Sequence, residues 1–152
     1  MNHEYFMRLA LEQANQGDAP YGAVIVTDNQ VVAAAHNTVL QDHDPSAHAE
    51  INTIRYLTAQ LQSPKLDGYR IYTTGEPCPM CASACVWAGI SEIIYAVSIE
   101  DLIALNQSQI NISCEEVIAK SDKTIKVTKG VLRAEGLKLF APSCRRDSEQ
   151  NK

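Results

Sequence analysis

Apolar positions follow two rhythms along this chain. From His3 to Gln16, Tyr5, Phe6, Leu9 and Ala10 recur at helical spacing and Gly17 supplies a stop, so an amphipathic helix is expected. After the loop Asp18-Ala19-Pro20, Tyr21 to Thr27 is apolar at nearly every position and reads as a strand. A turn at Asp28-Asn29 leads into a second strand, Val31 to Ala35, and the pair reads as a hairpin. Gly22 sits early in the first of them, where a missing side chain either admits a ligand closely or marks a bulge. The polar stretch from Asn37 to Ala47 is a loop, with Asp44-Pro45 near its end. The helical rhythm returns from about Ala47 to Gln60, with Ile51, Ile54 and Leu57 on one face and His48 and Glu50 in the first turn.

Past the connection Ser63-Pro64-Lys65, Arg70 to Thr74 is a third strand. Pro79 suits the first turn of a helix ending near Ala88, where Gly89 terminates it. Glu92 to Val97 is a fourth strand. Ser98 to Lys123 reads as a helix, a loop and a further helical turn; Thr124 to Thr128 is a fifth strand and Lys129 to Leu139 a last helix. The polar tail from Ala141 to Lys152 is expected to fray. Strands alternating with helices after an opening hairpin imply an α/β sandwich around a mixed sheet. The 26 residues from Ser98 to Lys123 are enough for a right-handed crossover, so strands four and five are expected to be parallel.

At 152 residues the chain is read as one domain, residues 1–152, and 45% hydrophobic residues fit a soluble protein. No apolar run approaches the roughly 20 residues that span a bilayer, so no membrane association is expected. The stretch Met1-Asn2-His3-Glu4-Tyr5 lacks a basic region followed by an apolar one, so no signal peptide is expected, and the cytosol is the expected compartment. The five cysteines are odd in number and unevenly spaced, which argues against a disulfide framework and suits metal ligation by reduced thiols. A net charge of −5 speaks against a large nucleic-acid footprint, although a local basic groove would be compatible with it.

Candidate chemistry is concentrated in two motifs, His48-Ala49-Glu50 and Pro77-Cys78-Pro79-Met80-Cys81. One histidine and two cysteines can hold a zinc ion through three ligands and leave the fourth tetrahedral position for water. Both motifs open helices, whose N-terminal dipoles favour thiolate. Glu50 is then placed as general base, able to take a proton from that water and pass it on. Two other readings exist for the cysteines. Cys78 and Cys81 alone could be a redox pair, and Cys85, four residues on along the same helix face, could close a structural zinc site. Cys85 also reads as a small buried residue, and Cys114 and Cys144 carry no motif. His3 and His43 read as exposed; His36 ends a strand, at core or rim. Asn37 read by itself is a turn residue after a strand.

Together with Pro20-Tyr21-Gly22-Ala23-Val24, Asn37 and Asp44-Pro45-Ser46-Ala47, these motifs resemble the cytidine deaminase superfamily, in its branch of guanine deaminases and tRNA adenosine deaminases. The resemblance runs from about Glu4 to Phe140. It implies a three-layer αβα sandwich with five strands in the order 2-1-3-4-5, one Zn2+ per chain on His48, Cys78 and Cys81, and Glu50 as the catalytic carboxylate. It further implies base contacts at Ala23, Asn37 and Asp101, a supporting role for Glu76, and a homodimer, for which Trp87 offers an apolar face unless it is core. Three functions follow. One is deamination of a small purine, with guanine leading. Another is deamination of adenosine at the tRNA wobble position, which His43 to Glu50 resembles closely. The last is a non-catalytic zinc-binding partner subunit, against which Glu50 speaks. Tyr95 to Asp101 resembles the guanine enzymes, which implies that Asp101 accepts from guanine N–H donors or shuttles protons; Glu100 could be the acting carboxylate instead, or both acids could simply cap a helix. Ser98 to Ala119 holds Glu100, Asp101, Glu115 and Glu116 with no Lys or Arg, which disfavours a polyanion. Downstream of Asp101 the chain departs from the guanine enzymes and lacks their aromatic tail after Phe140.

Overall fold

The computed structural model describes residues 2–141. The polar tail beyond, with Cys144, Arg145 and Arg146, lies outside the described residues. The elements in chain order are α1 (His3–Ala14), β1 (Gly22–Thr27), β2 (Gln30–His36), α2 (Ala49–Leu61), β3 (Arg70–Gly75), α3 (Pro79–Ala88), β4 (Glu92–Val97), α4 (Ile99–Ala104), α5 (Cys114–Ala119), β5 (Lys126–Thr128) and α6 (Arg133–Lys138). The sheet runs β2-β1-β3-β4-β5. β1 is antiparallel to both β2 and β3, whereas β3, β4 and β5 are mutually parallel. This is the expected order and the expected parallel pairing of the last two strands.

Strand alternation divides the interior into two layers. Ala23, Ile25, Ile71, Ile93 and Tyr95 face one side and pack with Ala49 and Leu57 of α2, Ala82 and Cys85 of α3, and Cys114 and Ile118 of α5. Val24, Val26, Tyr72, Ile94 and Ala96 face the other and pack with Phe6, Met7 and Ala10 of α1, Leu102 of α4 and Phe140 after α6. The β1, β3 and β4 sequences are apolar nearly throughout because both faces of these strands are covered.

Four local readings change. The buried face of α1 is Phe6, Met7, Ala10 and Ala14, while Tyr5 is 55% exposed: the apolar stripe lies one position further along than the spacing of aromatics suggests. His3 is only partly exposed, because its Nδ1 lies 2.7 Å from the Tyr72 hydroxyl. α2 begins at Ala49, with His48 as its N-cap, and buries Ala49, Glu50, Thr53 and Leu57 more deeply than Ile51 or Ile54. The bulge falls between Ile25 and Val26, not at Gly22, and the space beside Gly22 is taken by α1, which crosses directly over it. A β-carbon there would collide with the Ala10 carbonyl oxygen and the Ala14 amide nitrogen. No helix among the described residues is long and apolar enough to cross a membrane.

Because the obstruction at Gly22 is helix backbone, it cannot be relieved by a rotamer change. Gly22→Ala should cost about 3 kcal/mol of stability, read as a lower urea midpoint at unchanged slope.

Candidate active site

The sheet delivers its chemistry through two helix N-termini. The end of β2 is tied to α2 by Asn52, whose Nδ2 donates to the His36 carbonyl oxygen at 2.9 Å and to Thr38 Oγ1 at 2.9 Å. Asp44 shapes the loop before α2 by accepting from both the backbone N–H and the hydroxyl of Ser46, bonds that hold its carboxyl below the usual range. The loop ends at His48, the N-cap of α2, just as the turn after β3 ends at Cys78, the N-cap of α3. Neither side chain makes the hydrogen bond to its own helix that an N-cap residue usually makes. Both point instead into the gap between the helices.

There His48 Nδ1 lies 3.6 Å from Cys78 Sγ and 3.5 Å from Cys81 Sγ. Two sulfur atoms and an imidazole nitrogen form a donor set that zinc favours. On a tetrahedral zinc with ordinary bond lengths, a sulfur and a nitrogen ligand sit about 3.5 Å apart, so the spacing fits as well as the chemistry. Among the described residues these three form the one group of candidate metal donors. Cys85 is fully buried in the layer beneath, where burial pushes its thiol up, and it does not complete a fourth corner. The closed structural site and the simple redox pair both lose support on this geometry. A hydrogen bond from Cys81, with a further contribution from His48, draws the Cys78 thiol down to about 4; Cys81, the donor, moves up, and His48 is raised by the bond to Cys78.

Glu50 stands one turn-residue inside α2, 5% exposed, and burial pushes its carboxyl up to about 7. It lines a cavity of about 100 Å³ together with His48, Cys78, Asn37, Glu76, Tyr21, Ser108 and Gln109. Asn37 is buried, and its Nδ2 donates to Asp18 Oδ1 at 2.6 Å. Glu76 accepts from the Ile99 N–H at 2.9 Å with one oxygen and from the Cys114 N–H at 2.8 Å with the other, so its carboxylate fixes backbone at the starts of α4 and α5. Ala23 is buried within β1 and is not among the lining residues.

Asp101 is also absent from the lining. Its carboxylate forms a capping box with Ser98 at the start of α4 and pairs with Arg133 through bonds of 3.0 and 2.8 Å; Arg133 is the chief cause that holds it near 2. The expected contact between Asp101 and a base is therefore not part of this arrangement, because both oxygens are engaged elsewhere. Three lining residues carry no site role in the sequence reading, although Tyr21 lies within one of its motifs. Tyr21 could have been suspected from its place before Gly22-Ala23. Ser108 and Gln109 lie between α4 and α5 in a stretch with no pattern, and Gln109 reaches the cavity by donating from Nε2 to the Tyr21 hydroxyl at 3.2 Å.

An open three-donor zinc site beside a buried carboxylate, on a mixed sheet of this order, defines a zinc-dependent hydrolytic deaminase. A profile of the cytidine and deoxycytidylate deaminase zinc-binding region matches residues 1–97, and the chain belongs to that family. It is 42% identical over 106 residues to the guanine deaminase of Bacillus subtilis (strain 168), covering 66% of this chain and 68% of that protein. It is 33% identical over 138 residues to a tRNA-specific adenosine deaminase of Buchnera aphidicola subsp. Baizongia pistaciae, covering 87% and 82%. Among solved structures, the guanine deaminase from Nitrosomonas europaea superposes with a TM-score of 0.80 at 25% identity, over 95% of this chain and 83% of that one.

Purified protein should carry close to one zinc per chain by elemental analysis. Cys78→Ser, Cys81→Ser and His48→Ala should each lose most of it, and a chelator should lower the melting temperature of the wild type but not of these variants. Retention of a full zinc equivalent by Cys81→Ser would remove that residue from the ligand set.

Proposed function

We propose that this deaminase acts on a free purine base, with guanine as its substrate and xanthine and ammonia as products. The observation that carries the reading is the size and closure of the cavity. About 100 Å³, bridged by the Gln109–Tyr21 hydrogen bond, suits a single base. Sites for larger ligands run to about 300 Å³ and beyond. The lining is also rich in acceptors. Asn37 has its nitrogen committed to Asp18, and Glu50 contributes a carboxyl. Guanine offers more N–H donors than adenine does, and a polar site left unpaired discriminates strongly. The guanine deaminase relative at 42% identity supports the same reading.

His48, Cys78 and Cys81 would hold the zinc, which when bound supplies a Lewis acid that makes a water proton easier to remove. Glu50 receives that proton at its carboxylate and returns it to the ring nitrogen as the water oxygen joins the ring carbon; it then carries the proton of the new hydroxyl to the amine, which leaves as neutral ammonia while the carbon becomes a carbonyl. A carboxyl poised near 7 can both take and return a proton at neutral pH. Asn37 holds the base. A reducing cytosol is the compartment that keeps the two thiols available.

A tRNA adenosine is the second reading. It draws support from the 33% identity to a tRNA-specific adenosine deaminase across 87% of this chain. It draws further support from the ion pairs Lys129–Glu115 and Arg133–Asp101, which neutralise two of the four acids near α4 and α5.

We also propose a homodimer. Trp87 is 75% exposed on α3 and lines a groove with Val86 of α3 and Val117 of α5. A large exposed aromatic beside an apolar groove is a common interface anchor.

Ammonia release should be highest for guanine when guanine, guanosine, adenine, cytosine and an anticodon stem-loop are assayed side by side. Efficient deamination of the stem-loop with guanine untouched would reverse the choice. Glu50→Gln should keep its zinc and fold while kcat falls about 10²–10⁴-fold; near-normal turnover would take Glu50 out of the mechanism. Light scattering should give twice the chain mass for the wild type and a single-chain mass for Trp87→Glu.

A further inference from the structure

Asp18 lies in the loop between α1 and β1, outside every motif named above, yet its carboxylate is fully engaged. One oxygen, Oδ1, accepts from Asn37 Nδ2 at 2.6 Å. The other, Oδ2, accepts from the backbone N–H groups of Leu40 at 3.0 Å and Gln41 at 2.9 Å. The two residues are also joined through the main chain, where the Asp18 N–H donates to the Asn37 carbonyl at 3.2 Å and the Asn37 N–H donates to the Tyr21 carbonyl at 3.1 Å. A carboxylate oxygen can only accept, so only the nitrogen of the Asn37 carboxamide can face it. The nitrogen keeps a second N–H, but with the –NH2 end turned to Asp18 the opposite end of the planar amide, the carbonyl oxygen, is left for the cavity that Asn37 lines.

We infer that Asp18 is a positioning residue that locks the Asn37 carboxamide with its oxygen toward the cavity, so that the site selects a base presenting an N–H donor at that edge. The inference rests on the reading of Asn37 as a contact to the base. Without Asp18 the carboxamide could present either edge, and a base with an acceptor there would bind as well as one with a donor. With Asp18 in place the wrong edge meets oxygen against lone pair. The two backbone bonds to Oδ2 anchor the carboxylate, and so the orientation of Asn37 is set by a group that never touches substrate.

The chemistry allows a test by exchange of groups. In Asp18→Asn the new side chain keeps its oxygen on the Leu40 and Gln41 N–H groups and turns its amide nitrogen toward Asn37, which must flip and place a donor in the cavity. KM for guanine should rise about 10- to 100-fold, kcat should change far less, and the melting temperature should stay close to wild type because the loop bonds are kept. Adding Asn37→Asp to Asp18→Asn returns an acceptor to the cavity and should recover most of the lost KM. A KM within twofold of wild type in Asp18→Asn, or a double variant no better than the single one, would overturn the assignment. The orientation is read without substrate by hydrogen exchange of the Asn37 side-chain amide in nitrogen-15-labelled protein, its signal identified by its loss in Asn37→Asp. Strong protection in the wild type, lost in Asp18→Ala, is expected; equal exchange in both would sink the proposal whatever the substrate proves to be. If the wild type releases no ammonia from guanine, the guanine reading fails by itself. The kinetic comparison then passes to whichever of guanosine, adenine, cytosine or the stem-loop is turned over.

Discussion

The structure depends on one convergence: two helix N-termini brought face to face, each with a side chain of the candidate zinc donor set where a capping side chain would normally be. His48 and Cys78 both hold extended backbone at the N-cap, and neither caps. A missing side-chain cap costs about 1 kcal/mol at an isolated helix. Here the two uncapped ends share a site in which the exposed N–H groups and the positive ends of the helix dipoles favour the thiolates. The central strands must be covered on both faces for this to work, since α2 and α3 are held in place by the same apolar layer. The chemistry at the rim is therefore only as rigid as Ile25, Ile71 and Ile93 beneath it.

Much of this was legible from residue types alone. The spacing of His48, Glu50, Cys78 and Cys81 is short-range and tied to chemistry, so it survives without a fold. The sheet was legible because strands covered on both sides are written as unbroken apolar runs, and because a connection of 26 residues permits only a few topologies. What could not be read depends on tertiary approach. Nothing near Gln109 in sequence says that it meets Tyr21, and nothing near Gly22 says that α1 will cross there. Asp101 shows the opposite case: a helix cap is one of its readings from sequence, and Ser98-x-x-Asp101 forms the capping box of α4 in the fold. The role of Asp18 is illegible for a different reason: in the sequence it is an ordinary loop aspartate, and only the fold engages both of its oxygens.

The acids between β4 and α5 illustrate how charge read along a sequence differs from charge in space. Four carboxylates without a basic neighbour suggest a surface hostile to phosphate. In the fold, Lys129 after β5 and Arg133 in α6 return to two of them, both half-exposed pairs of modest worth. The local field is milder than the composition implies, and substrate size becomes the sharper criterion.

Glu76 holds the starts of α4 and α5 by one carboxylate, immediately before the cysteine motif. Between those two anchor points α4 is held by Leu102 in the core and by the Asp101–Arg133 pair, and the stretch beyond it, with Ser108 and Gln109, meets the cavity wall at Tyr21. The intervening stretch thus behaves as a cassette. It can lengthen, shorten or change composition across generations, altering what the cavity accepts, while His48, Cys78, Cys81 and Glu50 stay where the sheet put them. A protein built this way can acquire a new substrate by redrafting about a dozen surface residues.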